Sequence, residues 1–153
     1  LDRTQAVGGS VTVEPRIMGA GHQIVFKFDT AIGNAGTLVV TDSTGATINT
    51  ANAVANGNEV IVTLTGNLFA KRVAISLTGI NGSVNASVAL GFLLADVNNS
   101  RSVTAQDTSR IRSRAGQSAN AGNFQYDITA SGRITGADVV VSKVLALMQA
   151  ALP

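Results

Sequence analysis

Asp96 and Asp127 each open a run of twelve residues in which oxygen-bearing side chains recur at the same places. In the first run these are Asp96, Asn98, Ser100, Thr104 and Asp107; in the second they are Asp127, Thr129, Ser131, Thr135 and Asp138. Numbered from each opening aspartate, they hold positions 1, 3, 5, 9 and 12, and an aliphatic residue, Val103 or Ile134, holds position 8. A chain that curls around a hard cation turns every second residue of its first half inward. A carboxylate from the first turn of the following helix then closes the shell. On this geometry the backbone carbonyls of Ser102 and Arg133, at position 7, complete the two donor sets. Oxygen donors without nitrogen or sulfur suit calcium, so the spacing predicts two calcium ions, one in each loop.

The two runs are offset by 31 residues at Asp96 and Asp127, at Val103 and Ile134, and at Asp107 and Asp138. A constant offset marks a duplicated loop-helix unit rather than scattered polar residues. Thr104 with Asp107, and Thr135 with Asp138, also have the spacing of a helix capping box, in which the hydroxyl and the acid satisfy free N–H groups at the helix start. The same residues therefore read both as metal ligands and as helix N-termini. Position 6 needs a sharp turn that favours glycine, and Gly132 supplies it in the second loop where the first has Arg101. Each loop carries two carboxylates only, which points to weak sites, on the order of 10⁻⁵ to 10⁻³ M.

Two EF-hand-like calcium loops, each followed by one helix and set close together at a chain end, resemble the dockerin modules of secreted bacterial proteins. The resemblance covers roughly residues 94 to 153. It implies a small α-helical module ordered by calcium that attaches its parent protein, often a polysaccharide-degrading enzyme, to a cohesin-type partner on a scaffold or cell surface. It also implies that recognition lies just after each loop, at Ala105, Gln106, Arg112 and Ser113 in the first unit and Gly136, Ala137, Lys143 and Val144 in the second. Dockerins usually carry Asp or Asn at position 5 and Gly at position 6. Ser100 and Arg101 depart from that pattern, so the first loop is expected to bind less tightly.

Helical periodicity follows both loops. In the first helix Arg110, Arg112 and Arg114 cluster ahead of Gly116, which reads as the residue just past the helix end. Basic residues there complement the helix dipole, or form a docking patch for an acidic partner. In the second helix, from Ala137 to about Ala150, the residues Val140, Val144, Leu147 and Met148 recur at helical spacing. That stripe, widened by Val141 and Leu145, is expected to pack on the first helix. Val103 and Ile134 are expected to pair with each other through a short strand-like contact that couples the two ion sites.

Residues 1–91 have a different pattern. Short alternating runs include Val11-Val13, Ile24-Phe26-Phe28, Leu38-Val40, Val60-Val62-Leu64, Val73-Ile75-Leu77 and Val84-Ala86-Val88-Leu90. Period two means half-buried strands. Turn signals such as Gly33-Asn34-Ala35-Gly36, Asn56-Gly57-Asn58 and Asn81-Gly82 separate them. Roughly six to eight strands of this kind predict an antiparallel β-sandwich of immunoglobulin-like architecture. It resembles the small sandwich modules that often precede dockerins. Residues 92–153 then form the dockerin-like domain.

The chain of 153 residues has a charged fraction of 13%, a net charge of +2 and no cysteine. This excludes thiolate metal sites and disulfides, and the charge is too small to suggest nucleic acid as a partner. No tract is long and apolar enough to span a membrane. His22 is the single histidine, and no glycine-rich phosphate loop or serine nucleophile elbow occurs, so an enzyme is not expected. The chain opens at Leu1 without a leader-like segment, so a piece of a longer protein with an upstream catalytic or adhesive region is expected. The resemblance places it outside the cell or on the bacterial surface. Alternative readings are a purely structural calcium-stabilised cap, or adhesion and self-assembly through exposed sheet edges.

Overall fold

The computed structural model describes residues 11–17, 19–48 and 51–153. Among them are seven strands and two α-helices. In chain order they are β1 (Thr12–Glu14), β2 (His22–Lys27), β3 (Thr37–Asp42), β4 (Ala51–Asn56), β5 (Glu59–Leu64), β6 (Lys71–Ile80), β7 (Val84–Phe92), α1 (Ala105–Arg112) and α2 (Gly136–Leu147). A single 3-10 turn, Phe124–Tyr126, precedes Asp127. The strands form one sheet in the order β1-β7-β6-β3 and another in the order β2-β5-β4. The fold is thus β-rich, with two short helices near the end of the chain.

The strands form where the alternation falls. In β5, Val60, Val62 and Leu64 are buried, while Ile61 and Thr63 on the other face are half-buried. Its antiparallel neighbours keep the same phase, with Phe26 opposite Val60 and Ile24 opposite Val62 on one side and Ala53 opposite Val62 on the other. Register is fixed because a slip of one residue would carry every buried side chain to the opposite face. Gly57 and Asn58 close the β4–β5 hairpin between the paired residues Asn56 and Glu59, with Gly57 at φ +62°. Gly36 is required for another reason. At φ +76° an added Cβ would stand 2.3 Å from the Thr78 carbonyl oxygen.

The chain divides into two compact units. Of the described residues, the first takes Val11, Ala20–Leu68 and Val73–Ala89; the second takes Thr12–Gly19, Phe69–Arg72 and Leu90–Pro153. Val60, Val62, Leu64, Val73, Ile75, Leu77 and Ile80 are the most deeply buried apolar residues of the first. The core of the second is a cluster of Leu93, Ala95, Val103, Ile111, Tyr126, Ile128 and Ile134.

Not every pairing is antiparallel. β1 runs parallel to the last three residues of β7, Thr12 opposite Leu90 and Glu14 opposite Phe92. The ladder continues beyond both strands, Leu93 N–H donating to the Glu14 carbonyl and Ala95 N–H to the Pro15 carbonyl. The two segments lie 78 positions apart in sequence, Thr12 to Leu90, and no local alternation encodes the direction in which they meet.

Candidate metal centre

Each loop is built around its two aspartates. In the first, Asp96 accepts hydrogen bonds from the N–H groups of Ser100 (3.0 Å) and Arg101 (2.7 Å). In the second, Asp127 accepts from the N–H groups of Ser131 (3.0 Å) and Gly132 (2.8 Å). These are positions 5 and 6 of both loops. The backbone curls there through left-handed residues at positions 4 and 6: Asn99 (φ +61°) and Arg101 (+69°), then Ala130 (+52°) and Gly132 (+86°).

The closing aspartates also match. Asp107 accepts from the N–H and the hydroxyl of Thr104, both at 2.9 Å, and Asp138 accepts from the N–H (2.7 Å) and hydroxyl (3.1 Å) of Thr135. Both form the full capping box, with the threonine hydroxyl accepting from Gln106 N–H in one helix and Ala137 N–H in the other. The helix-start reading is therefore realised. The other oxygen of each closing aspartate turns back into its loop. Asp107 receives the N–H groups of Val97 and Asn98 (3.2 and 3.3 Å), and Asp138 receives the N–H and hydroxyl of Thr129 (both 2.9 Å).

The remaining donors converge. Ser100 hydroxyl donates to the Ser102 carbonyl at 2.9 Å, and its N–H also meets the Asn98 side-chain oxygen at 2.9 Å. Ser131 hydroxyl stands 3.0 Å from the Arg133 carbonyl and 3.3 Å from Asp127. Each of the twelve residues singled out by spacing thus takes part in a hydrogen bond within its own loop, grouped around the opening and the closing aspartate. Among the described residues there is no group of three or more His, Cys, Asp or Glu side chains of metal-binding geometry. A loop with two carboxylates and four neutral oxygen donors does not need one.

The electrostatics of the first loop fit a divalent cation. Asp96, Asp107, Asp127 and Asp138 are all at most 3% exposed, and the two ion pairs seen among the described residues involve Glu14 and Glu59, not these four. Burial pushes the Asp96 carboxyl above the usual value of 3.8, the Arg101 and Ser100 N–H groups oppose this, and the Asp107 charge adds to it. For Asp138 burial also acts upward, but the hydrogen bonds from Thr129 and Thr135 outweigh it and hold the carboxyl below 3.8. A buried carboxylate beside another acid has an unfavourable charged form, which a cation would relieve. Hard oxygen donors at these positions are the set calcium takes.

The eight residues placed on a recognition surface, Ala105, Gln106, Arg112, Ser113, Gly136, Ala137, Lys143 and Val144, are all exposed. Ala105, Arg112 and Lys143 come together. With Thr108, Ser109, Ala146 and Leu147 they line an open hollow of about 370 Å³ between the helices. The other five lie outside that lining.

Two expectations fail. Val140, Val144, Leu147 and Met148 do not form the core stripe of α2; they are 61, 50, 77 and 69% exposed. The buried side carries Asp138 and Ser142, with Val139, Val141, Leu145 and Ala146 packed on the core. Ser142 hydroxyl donates to Thr108 hydroxyl of α1 at 2.9 Å. The closing aspartate must face its loop, and this sets the rotation of the helix; residues one turn on, at 141 and 142, and two turns on, at 145, follow it inward.

The second failure concerns Val103 and Ile134, which do not pair with each other. Val103 N–H donates to the Ala150 carbonyl, whereas Ile134 exchanges bonds with Gly116 and Gln117. Each loop is thus clipped by the segment that follows the other unit's helix, with bridges Ser102 to Ala151 and Arg133 to Ser118. Gly116 is left-handed at φ +92°, but α1 ends earlier, with Ser113 as its C-cap. Arg114 lies over the Tyr126 ring at 4.6 Å, so it is already engaged within the unit.

Compared with known proteins, the chain matches no protein-family model and no curated protein.

Proposed function

We propose that this chain is a calcium-dependent docking module of a secreted bacterial protein, dockerin-like in residues 92–153, with an immunoglobulin-like β-sandwich in residues 1–91 as its companion. Its task is to anchor an upstream catalytic or adhesive region to a cohesin-type partner outside the cell, without catalysis of its own. The observation that carries the reading is the repetition of one donor geometry. Two loops offset by 31 residues share hydrogen bonds into positions 1 and 12, left-handed residues at positions 4 and 6, and a capping box on the following helix. Four buried carboxylates that accept from N–H and O–H donors and form no ion pair among the described residues are what a structural calcium would stabilise.

When bound, calcium neutralises the paired acids and adds stability by mass action, about 2.7 kcal/mol when free calcium exceeds Kd a hundredfold. The docking face is the exposed side of the helix pair. Val140, Val144 and Leu147 on α2 supply an apolar surface, and Arg112 and Lys143 border it with positive charge. The partner accordingly presents aliphatic side chains and carboxylates.

Calorimetric titration of the chelator-treated chain tests the metal, with two calcium ions expected per chain. A panel of cohesin domains, each assayed in calcium and in chelator, tests docking. Calcium uptake without capture of any cohesin would leave the structural cap as the better reading, and no uptake would sink both.

A further inference from the structure

Residues 12–17 come from the start of the chain, yet they lie in the second compact unit with both loops. They touch each loop. Val13 N–H donates to the side-chain oxygen of Asn99 at 2.7 Å, at position 4 of the first loop. Ile17 N–H donates to the Ile128 carbonyl at 2.7 Å, at position 2 of the second. Between these two ties, Pro15 is buried and its carbonyl takes the Ala95 N–H, directly before Asp96. The Arg16 guanidinium is held by Glu14 at 2.7 and 3.0 Å and lies 4.7 Å from the centre of the Phe124 ring, in the turn that leads into Asp127.

We infer that residues 12–17 are a positioning strap that ties the two metal loops together, so that binding in one loop raises the affinity of the other. The inference rests on the calcium reading given above. The pair Asn99 and Ala130 carries it. Both stand at position 4 with positive φ, and in the second loop an alanine fills that place. The loop itself therefore needs no side chain there. The Asn99 carboxamide instead serves the strap, a segment 86 residues away in sequence.

An ion that orders Asp96 to Asp107 fixes Asn99 and so fixes Val13. The rest of the strap then has less freedom to lose when Ile128 and the second loop become ordered. Coupling of this kind is reciprocal, since each site changes the other by the same factor. Fixing one shared segment once for two sites is the physical source of the gain.

The test is a calcium titration of the full chain followed by NMR at the Arg101 and Gly132 amides, which report the two loops separately. The Asn99→Gly variant removes the tie while keeping a residue that accepts positive φ. It is expected to move the midpoint at Gly132 as well as at Arg101, by about fivefold in total, the worth of one hydrogen bond. Arg16→Ala, which removes the contact with Phe124 together with the pair to Glu14, is expected to move the Arg101 midpoint in the same sense. In the wild-type chain, calcium should also slow amide exchange at Val13 and Ile17.

A wild type that titrates normally, with a Gly132 midpoint unmoved in Asn99→Gly and an Arg101 midpoint unmoved in Arg16→Ala, would overturn the strap and leave calcium binding standing. A wild type in which neither amide responds to calcium overturns the functional reading and this inference with it.

Discussion

Arg101 and Gly132 hold the same place in the two loops, at φ +69° and +86°. The left-handed conformation costs an L-residue about 1–2 kcal/mol, and glycine almost nothing. An added Cβ at Gly132 would meet nothing within 4 Å, so conformation alone separates the two positions. Arg101→Gly should therefore tighten the first loop about fivefold or more, and Gly132→Ala should weaken the second by a similar factor. Loop-resolved calcium titration checks both. The buried acids make a prediction of opposite signs for the calcium-free chain. Asp96, raised above 3.8, is disfavoured when charged, so its contribution to stability falls as pH rises from 3.8 through its higher folded value. Asp138, lowered, contributes stability that is present above 3.8 and is lost as pH falls through its lower folded value. In chelator at neutral pH, Asp138→Asn should cost about 1–3 kcal/mol through its lost hydrogen bonds. Asp96→Asn should leave stability unchanged or higher. Denaturant melts of the two variants decide this, and a loss for Asp96→Asn as large as that for Asp138→Asn would count against it.

At the scale of elements, α2 presents Val140, Val144 and Leu147 to solvent and its polar Ser142 to the core. Leu147→Ser should therefore change stability by no more than about 0.5 kcal/mol, as an exposed substitution does, while weakening capture by the partner. Ser142→Ala should cost about 1 kcal/mol, because Thr108 then loses its buried hydrogen-bond partner. A thermal melt of each variant separates the two faces of the helix. The crossed clips act at the same scale. Removing residues 148–153 deletes the bonds from Val103 to Ala150 and from Leu152 to Arg101, both of which reach the first loop. The first loop should then lose more affinity than the second.

Taken as a whole, the chain has a β-rich first unit and a second unit that contains both loops. Chelation is expected to raise hydrogen exchange across residues 94–150 and to leave the β2-β5-β4 sheet protected, because no residue of that sheet belongs to the loops. Equal loss of protection in both regions would contradict this. The sequence by itself determined whatever is local and periodic. The offset of 31 residues, the threonine and aspartate pairs that cap α1 and α2, and the alternation that makes Val60, Val62 and Leu64 a buried row are all set by neighbours a few residues apart. Tertiary structure alone decided the parallel pairing of β1 with β7, the clipping of each loop by the other unit's tail, the side of α2 that faces the core, and the tie from Val13 to Asn99. The pairing and the clips join segments far apart in the chain through backbone groups, and the Asn99 and Ser142 side chains find partners 86 and 34 positions away, so no local spacing marks these contacts. They form only when burial of Leu93, Val103, Ile128 and Ile134 in one core brings those segments within reach.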